Sequence, residues 1–207
     1  ISSLLMSALK SHSAIQQDEI FDESQQLLDD SAHGLNEISQ LVMSLKDFSR
    51  LDRQSTDEVD IHHSIENALK IATNHIRENN VVVKKEFSNL PHIVCMPSKL
   101  NQLFLNIITN ASQAMKLDGG ELHIKTHFND THIAVAFTDQ GIGMDEETVQ
   151  KMFDPFFTSK PIGEGTGLGM SIAYKIVEAH KGKIQVKSKP NIGTTIAIQL
   201  PIQATVE

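Results

Sequence analysis

Four short segments between residues 106 and 169 hold most of the side chains in this chain that could perform chemistry. They begin at Asn106, Asp139, Phe153 and Gly163 and read NIITNA, DQGIG, FDPFF and GEGTGLG. Carboxamides, a carboxylate at a strand end and clustered glycines can together hold a metal-bound phosphate chain and a planar base. The set therefore indicates a magnesium–nucleotide site with a mobile cover, and ATP is the expected ligand.

The first segment carries two carboxamides, Asn106 and Asn110, which lie four residues apart on a predicted helix. This spacing places both side chains on one face of the helix. An amide oxygen is a suitable ligand for Mg²⁺, which keeps several waters and is shared with phosphates. Taken alone, the pair is better explained as ordinary polar positions at a helix edge.

The second segment places Asp139 at the end of an apolar strand, just before Gln-Gly-Ile-Gly. A carboxylate there can accept a hydrogen bond from an exocyclic amine, while Gly141 and Gly143 let the backbone turn and approach a base. A solvent-exposed turn is the alternative, because Asp and Gly are common turn residues.

The third and fourth segments form a loop region with three phenylalanines, one lysine and alternating glycines. Apolar burial of Phe153, Phe156 and Phe157 is expected to anchor this polar loop, and Lys160 could reach a terminal phosphate. The glycines at 163, 165, 167 and 169 precede a predicted helix, whose N-terminus favours phosphate. Neither a P-loop nor the dinucleotide fingerprint fits, because the required Lys-Ser/Thr and the leading strand are missing.

Composition limits the class of protein. The 207 residues are 40% hydrophobic and 21% charged, as in a soluble globular protein, and a net charge of −8 argues against a nucleic-acid partner. The single cysteine, Cys95, excludes an internal disulfide framework and fits a reducing cytosol. The sequence has neither an apolar run that could span a bilayer nor a signal-peptide pattern. Because the chain opens at Ile1, we expect a fragment whose membrane segment, if one exists, lies upstream.

Residues 1–53 are predicted to form helices without strands. Leu35, Ile38, Val42 and Leu45 repeat at helical spacing, and an earlier apolar series starts at Leu4. Two helices with narrow apolar seams cannot enclose a core, so pairing of two chains into a helical bundle would bury them. Packing of the helices on the following domain is the alternative.

Residues 54–207 are predicted to alternate between helices and strands. Helical spacing predicts helices over 61–76 (capped by Asp60), 97–115 and 166–180. Alternating or β-rich runs predict strands over 81–87, 121–128, 132–138, 183–188 and 194–200, and residues 92–96 form a short apolar run before Pro97. The expected fold is α+β, a two-layer α/β sandwich on a mixed, mostly antiparallel sheet, preceded by an α-helical hairpin or bundle segment.

The order and spacing of the four segments resemble the N, G1, F and G2 boxes of the sensor histidine kinase catalytic domain. That domain belongs to the wider superfamily of Bergerat-fold ATPases, and the resemblance covers about residues 57–202. It implies a Bergerat ATP-binding fold with ATP and Mg²⁺ as the bound groups. It also implies that residues 1–53 are part of the dimerisation and histidine-phosphotransfer helices, and that 54–207 are the catalytic domain.

The resemblance implies a role for each matching residue. Asn110 would be the main Mg²⁺ ligand with Asn106 in support, and these two with Lys160 would form the catalytic group. Residues 144–165 would form a lid over ATP, held by the phenylalanines. The residues implied to contact the nucleotide are Asn110, Asp139, Gly141, Gly143, Met144, Lys160, Gly165, Thr166, Gly167, Leu168, Gly169 and Thr194. Thr194 shares a strand face with Ile196 and Ile198, so it should point inward toward the base.

The family's phosphate acceptor is a histidine followed by an acidic residue, with a proline some four positions later. None of the ten histidines here has that setting, including His12 and His33. We therefore expect the acceptor to lie upstream of Ile1, so that this fragment binds ATP without completing autophosphorylation. His180 matches a histidine often found after the G2 box, where a structural role is expected.

Two other functions compete with histidine phosphorylation. ATP-hydrolysing relatives, such as gyrase-type and heat-shock chaperone ATPases, carry a glutamate base one helical turn before the magnesium asparagine. Asn106 occupies that position here and cannot take a proton at neutral pH, which favours phosphoryl transfer over hydrolysis. A nucleotide-sensing module without catalysis is the second alternative. The preferred interpretation is a cytoplasmic, homodimeric kinase whose phosphoryl group passes to an aspartate of a response regulator.

Overall fold

The structure is a computed structural model that describes residues 21, 24–28, 31, 34–35, 56–161 and 165–202. The chain divides into two units, Ile1–Lys46 and Asp47–Glu207. All nine described residues of the first unit are helical, in agreement with the helical segment predicted there. The predicted seams at Leu4 and between Ile38 and Leu45 lie outside the described residues.

Seven strands form two sheets in the described part of the second unit. The larger sheet has the order β2-β4-β5-β7-β6, in which β2 and β4 are parallel and every other neighbouring pair is antiparallel. A small antiparallel sheet joins β1 to β3. The strands are β1 Asp57–Val59, β2 Val81–Glu86, β3 Ile93–Cys95, β4 Gly120–Phe128, β5 His132–Asp139, β6 Lys183–Lys189 and β7 Gly193–Pro201. The predicted mixed, mostly antiparallel sheet is confirmed.

Five helices lie in the same part of the chain. They are α1 Ile61–Ile71, α2 Thr73–Glu78, α3 Pro97–Ala114, α4 Glu146–Lys151 and α5 Gly169–Ala179. The helix α3 lies between α1 and α5 and also contacts β5. Side chains of β5 alternate between buried and more exposed positions, so one face of the sheet is covered by helices. The two-layer sandwich predicted from the sequence is confirmed.

The core is formed between α3 and the central strands. Five large apolar side chains of α3 are buried: Leu100, Leu103, Phe104, Ile107 and Ile108. The ring of Phe104 packs on the ring of Phe137 from β5, with centroids 5.8 Å apart. Because α3 is fixed along its length by this burial, its polar face has a defined position relative to the sheet.

A capping side chain and a proline explain where α1 and α3 start. Asp60 caps α1 as predicted, because its Oδ1 accepts the His62 backbone N–H at 2.8 Å. Pro97 occupies the first turn of α3, where its missing N–H costs no intrahelical bond.

The elements differ from the sequence prediction in four places. The helix expected over 61–76 breaks at Ala72, where the Thr73 hydroxyl donates to the Lys70 carbonyl at 2.7 Å and competes with the helical bonds. The helix expected from Thr166 begins at Gly169, because Gly167 takes φ +65°. The strand β1 lies where no element was predicted, and α4 lies inside the predicted lid.

Candidate nucleotide-binding site

The polar face of α3 carries three carboxamides on successive turns. Asn106, Asn110 and Gln113 are spaced by four and three residues, so their side chains share one face. The Lys160 ammonium lies 3.3 Å from Asn110 Oδ1 and also donates to Gln113 Oε1. Lys160 is therefore held directly against one of the two predicted metal-binding carboxamides.

Asn106 connects α3 to the start of α5. Its Nδ2 donates to the Gly169 carbonyl at 2.9 Å. The end of the G2 segment is consequently fixed beside the carboxamide face of α3. The structure thus brings Asn106, Asn110, Lys160 and Gly169 into one region, which we call the phosphate end of the site.

The glycines of the G2 segment allow the loop backbone to pass close to its neighbours. A Cβ at Gly167, where φ is +65°, would lie 2.3 Å from the Phe156 carbonyl carbon, and the Phe156 N–H donates to the Gly167 carbonyl at 2.9 Å. A Cβ at Gly165 would lie 2.9 Å from Thr158 Oγ1. Only glycine permits this contact between the F and G2 segments at position 167.

Thr166 and Leu168 complete the G2 segment. The Leu168 N–H donates to Thr166 Oγ1 at 3.3 Å, and Leu168 itself is buried. The predicted lid, 144–165, is described except for residues 162–164.

The expected anchoring of the lid by three buried phenylalanines is only partly correct, because Phe153 and Phe157 are half-buried and Phe156 is exposed. Phe156 is 63% exposed, because its backbone takes φ +69° to meet Gly167 and its ring points away from the core. Phe153 packs on Tyr174 of α5 with ring centroids 5.3 Å apart, and Met152 is buried. The apolar anchor of this segment is thus Met152 together with the Phe153–Tyr174 pair.

Asp139 lies at the end of β5 and is buried. Its Oδ1 accepts the Gly141 N–H at 2.9 Å and the Thr194 N–H at 3.2 Å. Burial raises the pKa of this carboxyl, and the two backbone donors partly offset the shift. A buried carboxylate held by two backbone N–H groups has the fixed position that a base-recognising acceptor requires.

The loop after Asp139, residues 141–144, is held from two sides. Gly141 lies against the end of α3, where a Cβ would be 2.7 Å from Ala114 Cβ. On the other side, the Ile142 carbonyl accepts the Asn191 N–H at 2.7 Å from the β6–β7 turn. Gly143 has φ +64°, and a Cβ there would lie 2.1 Å from the Lys189 carbonyl oxygen. The glycines of the G1 segment are thus required by backbone packing.

Met144 and Thr194 meet at one side chain that the sequence analysis did not select, Ser188 of β6. Ser188 Oγ accepts the Met144 N–H at 2.8 Å and lies 2.8 Å from Thr194 Oγ1. Thr194 is buried and pairs across the strands with Asp139. Asp139, Gly141, Gly143, Met144 and Thr194 therefore form a second group, the base end of the site.

Two residues near the site were missed by sequence reasoning, Gln113 and Ser188. The position of Gln113 could have been found from its helical spacing after Asn106 and Asn110. Nothing in the local sequence marks Ser188, because its contacts arise from pairing of β6 with β7.

His180 is buried and has two hydrogen-bond partners. Its Nδ1 lies 2.7 Å from the Ile176 carbonyl, and its Nε2 lies 3.1 Å from the Met96 N–H. This pairing requires the neutral imidazole with the proton on Nδ1, and burial lowers its pKa. His180 therefore joins the end of α5 to the start of α3, while His12 and His33 lie outside the described residues.

The donor set fits a magnesium ion that is shared with phosphates. Across the described ranges, no group of three or more His, Cys, Asp or Glu side chains is placed to hold a metal. Asn106 and Asn110 supply amide oxygens, which Mg²⁺ accepts when phosphates and waters complete its coordination. Among the described residues, no helix is both long enough and apolar enough to cross a membrane.

Comparison of the sequence with known proteins finds one matching family and relatives whose names agree with it. The sequence model of the histidine kinase-, DNA gyrase B-, and HSP90-like ATPases matches residues 95–204. The signal transduction histidine-protein kinase AtoS of Escherichia coli (strain K12) is 34% identical over 170 residues, covering 81% of this chain and 28% of its own length. Sporulation kinase E of Bacillus subtilis (strain 168) is 39% identical over 120 residues, covering 58% of this chain and 16% of its own length.

Solved structures agree with the sequence comparisons. The mycobacterial sensor histidine kinase MprB matches with a TM-score of 0.62 and 27% identity, covering 71% of this chain and 97% of that chain. This chain spans less than a third of the two curated relatives above.

Proposed function

Because this chain belongs to the family of histidine kinase-, DNA gyrase B-, and HSP90-like ATPases, we propose that it is the ATP-binding catalytic part of a sensor histidine kinase. The resemblance predicted from the four segments is confirmed, and so are the Bergerat-type fold and ATP as the nucleotide. The proposed reaction transfers the γ-phosphoryl group of Mg-ATP to a histidine. The group then passes to an aspartate of a response regulator.

The observation that carries this proposal is the chemistry of position 106. Water attack on ATP needs a general base, and a carboxamide cannot take a proton at neutral pH. The Asn106 side chain instead donates to the Gly169 carbonyl at 2.9 Å. A site that binds ATP with a carboxamide at position 106, where hydrolysing relatives have their base, favours transfer to a nucleophile supplied from elsewhere, here an imidazole.

Each end of the site has a distinct task in the proposed reaction. At the base end, Asp139 accepts from the adenine amine, and Gly141 and Gly143 allow backbone approach. At the phosphate end, the G2 backbone holds the phosphates, and Lys160 neutralises charge on the terminal one. Asn110, with Asn106 beside it, would hold Mg²⁺, which when bound neutralises phosphate charge. Catalysis is then mainly positioning and charge neutralisation, as in phosphoryl transfer generally.

The partners and location belong to the same proposal. We expect a homodimer formed through the N-terminal helices, a receiver domain of a response regulator as the phosphoryl acceptor, and a cytoplasmic position. The curated relatives AtoS and sporulation kinase E carry the word kinase in their names, which supports transfer over hydrolysis. A hydrolysing ATPase and a nucleotide-sensing module remain the two alternatives that the experiment must separate.

The test uses the full-length protein, incubated with Mg²⁺ and ATP labelled at the γ-phosphate. We expect an acid-labile, base-stable label on the protein, the signature of phosphohistidine. Asn110→Asp should abolish it, because a new charge replaces the amide ligand. Asn129→Asp is the matched control: Asn129 is exposed in the β4–β5 turn, where its Oδ1 accepts the Thr131 and His132 N–H groups, as a carboxylate would.

The alternatives give different results in the same assay. Steady phosphate release without labelled protein would identify a hydrolysing ATPase. ATP binding with neither label nor release would identify a sensing module. Failure to bind any adenine nucleotide at millimolar Mg²⁺ would contradict all three functions: the kinase, the hydrolysing ATPase and the sensing module.

A further inference from the structure

Ser188 has three hydrogen-bonding neighbours at the base end of the site. Its Oγ lies 2.8 Å from the Met144 backbone nitrogen, 3.1 Å from the Gly193 carbonyl oxygen and 2.8 Å from Thr194 Oγ1. The three neighbours come from the loop after β5 and from β7. A single hydroxyl therefore connects three backbone segments around the site.

The protons at this junction can be assigned from the chemistry of each partner. A serine hydroxyl has one proton to donate and two lone pairs to accept with. The Met144 N–H can only donate, and the Gly193 carbonyl can only accept. All three bonds form together only when Ser188 donates to Gly193 and Thr194 donates to Ser188. The proton of Thr194 is then used, and only its oxygen lone pairs remain for a ligand.

The neighbouring carboxylate, Asp139, is also a hydrogen-bond acceptor. Asp139 and Thr194 are cross-strand partners, and the Thr194 N–H is already donated to Asp139 Oδ1 at 3.2 Å. An ionised carboxylate accepts and cannot donate. The base end thus holds two acceptors side by side, and every Thr194 proton that could be donated is committed within the protein.

We propose that Ser188 is a positioning residue for base specificity, because it fixes the Thr194 hydroxyl as a hydrogen-bond acceptor. This inference rests on the proposed function and deepens it. Two acceptors match the two N–H donors of an amine at C6 of a purine, either directly or through a water. A base without that amine offers neither buried acceptor the donor that it would receive from adenine, and the loss of such donors is a strong basis for discrimination.

The test compares ATP with purine riboside 5′-triphosphate, which lacks the C6 amine, by calorimetric titration. The wild-type chain should bind ATP more tightly. In Ser188→Ala the Thr194 hydroxyl can rotate. We therefore expect the ratio of the affinity for ATP to the affinity for purine riboside 5′-triphosphate to fall about five-fold, the size of one neutral hydrogen bond. Thr195→Ala is the matched control, because Thr195 follows Thr194 in β7 but bonds to Thr138, 3.0 Å away and exposed. Its ratio should equal that of the wild type.

A second background tests whether Ser188 acts through Thr194. In Thr194→Val no hydroxyl remains to be oriented, so adding Ser188→Ala should not change the ratio further. Ser188→Cys keeps nearly the same volume with a weak hydrogen-bonding group and should lower the ratio as Ser188→Ala does. It supplies the test if the alanine variant does not fold.

The outcomes distinguish this inference from the proposed function. If Ser188→Ala and Ser188→Cys leave the ratio unchanged, or weaken both nucleotides equally, Ser188 only holds the loop and the inference is wrong. If Ser188→Ala still lowers the ratio in the Thr194→Val background, the route through Thr194 is wrong. If the wild-type chain binds neither nucleotide, the proposed function itself is overturned.

Discussion

Asp139 is a carboxylate that the fold buries while keeping its position fixed. Burial alone would favour the protonated acid, and it does raise the pKa of the side chain. The Gly141 and Thr194 N–H groups stabilise the ionised form. Asp139 Oδ1 is therefore an acceptor whose orientation is set by backbone donors before a ligand arrives.

The substitution Asp139→Asn tests this acceptor. The amide oxygen can keep both backbone bonds, so the fold should persist, but an NH₂ group now faces the base amine. We expect ATP affinity to fall at least ten-fold, since hydrogen bonds to charged groups contribute about 1.5–3 kcal/mol. Calorimetric titration with ATP measures it. Asp130→Asn, the same change at an exposed position, should leave affinity unchanged, and equal loss in both variants would contradict the assignment.

The fold lowers the reactivity of the Cys95 thiol. It is fully buried in β3, and burial raises the pKa of its thiol to about 12. Because the thiolate is the reactive form, we expect no reaction with a disulfide reagent at pH 8 in the folded chain. Adding guanidinium should release one thiol per chain, measured by absorbance. Rapid reaction without denaturant would show that the small β1–β3 sheet opens.

At the scale of elements, the site depends on how α3 and α5 are held together. Asn106 joins α3 to the first residue of α5, and His180 joins the last turn of α5 to the start of α3. The two helices are thus connected by side-chain hydrogen bonds at both ends of α5. Loss of either bond should loosen the G2 segment relative to the carboxamide face.

The His180 connection makes stability depend on pH. Because the pKa of His180 is lowered in the folded chain, its imidazole stays neutral at pH values at which the unfolded chain binds a proton there. Stability should be fully present above about pH 6.5, the ordinary histidine pKa, and should fall as the pH drops below it toward the lowered value. Urea unfolding from pH 8 to 5 measures this. His180→Gln, which does not titrate, should reduce the slope, and an unchanged slope would assign it to other groups.

Two glycines of one segment should respond differently to alanine. Gly167 has φ +65° and no room for a Cβ beside Phe156, whereas a Cβ at Gly169 would meet nothing nearer than 3.8 Å. We expect Gly167→Ala to destabilise the chain by about 1–3 kcal/mol and Gly169→Ala to change stability by less than about 0.5 kcal/mol. Chemical unfolding measures both. Similar values for the two variants would contradict the described loop backbone.

The elements show what sequence patterns can and cannot predict. The helix α3 and the strands β4 and β5 follow from helical periodicity and from alternation of apolar residues, which are local signals. The predicted start of α5 was wrong, because the conformation of Gly167 depends on its hydrogen bond with Phe156, which lies in another segment of the chain. Ser188 was missed for the same reason. The four segments predicted the kind of site, while contacts between distant strands determine how its side chains are oriented.

At the scale of the whole molecule, the elements of the site all lie between residues 57 and 201. The predicted domain boundary at 53/54 remains to be tested. A fragment of residues 54–207 should fold cooperatively and bind ATP with the affinity of the full chain. Circular dichroism and titration check this. If the fragment binds ATP at least ten-fold more weakly, residues 1–53 contribute to the site and the boundary is wrong.

The strand order has a consequence for synthesis of the protein. The last strand, β7, is inserted between β5 and β6, and it supplies Gly193 and Thr194. A ribosome makes α3, Asp139 and the G2 segment well before that strand exists. A nascent chain therefore has an incomplete sheet with the edge of β5 exposed, and pairing of distant strands is slow. We expect ATP to stabilise this protein only after β7 has left the ribosome, so chains that end before Gly193 should lack nucleotide affinity.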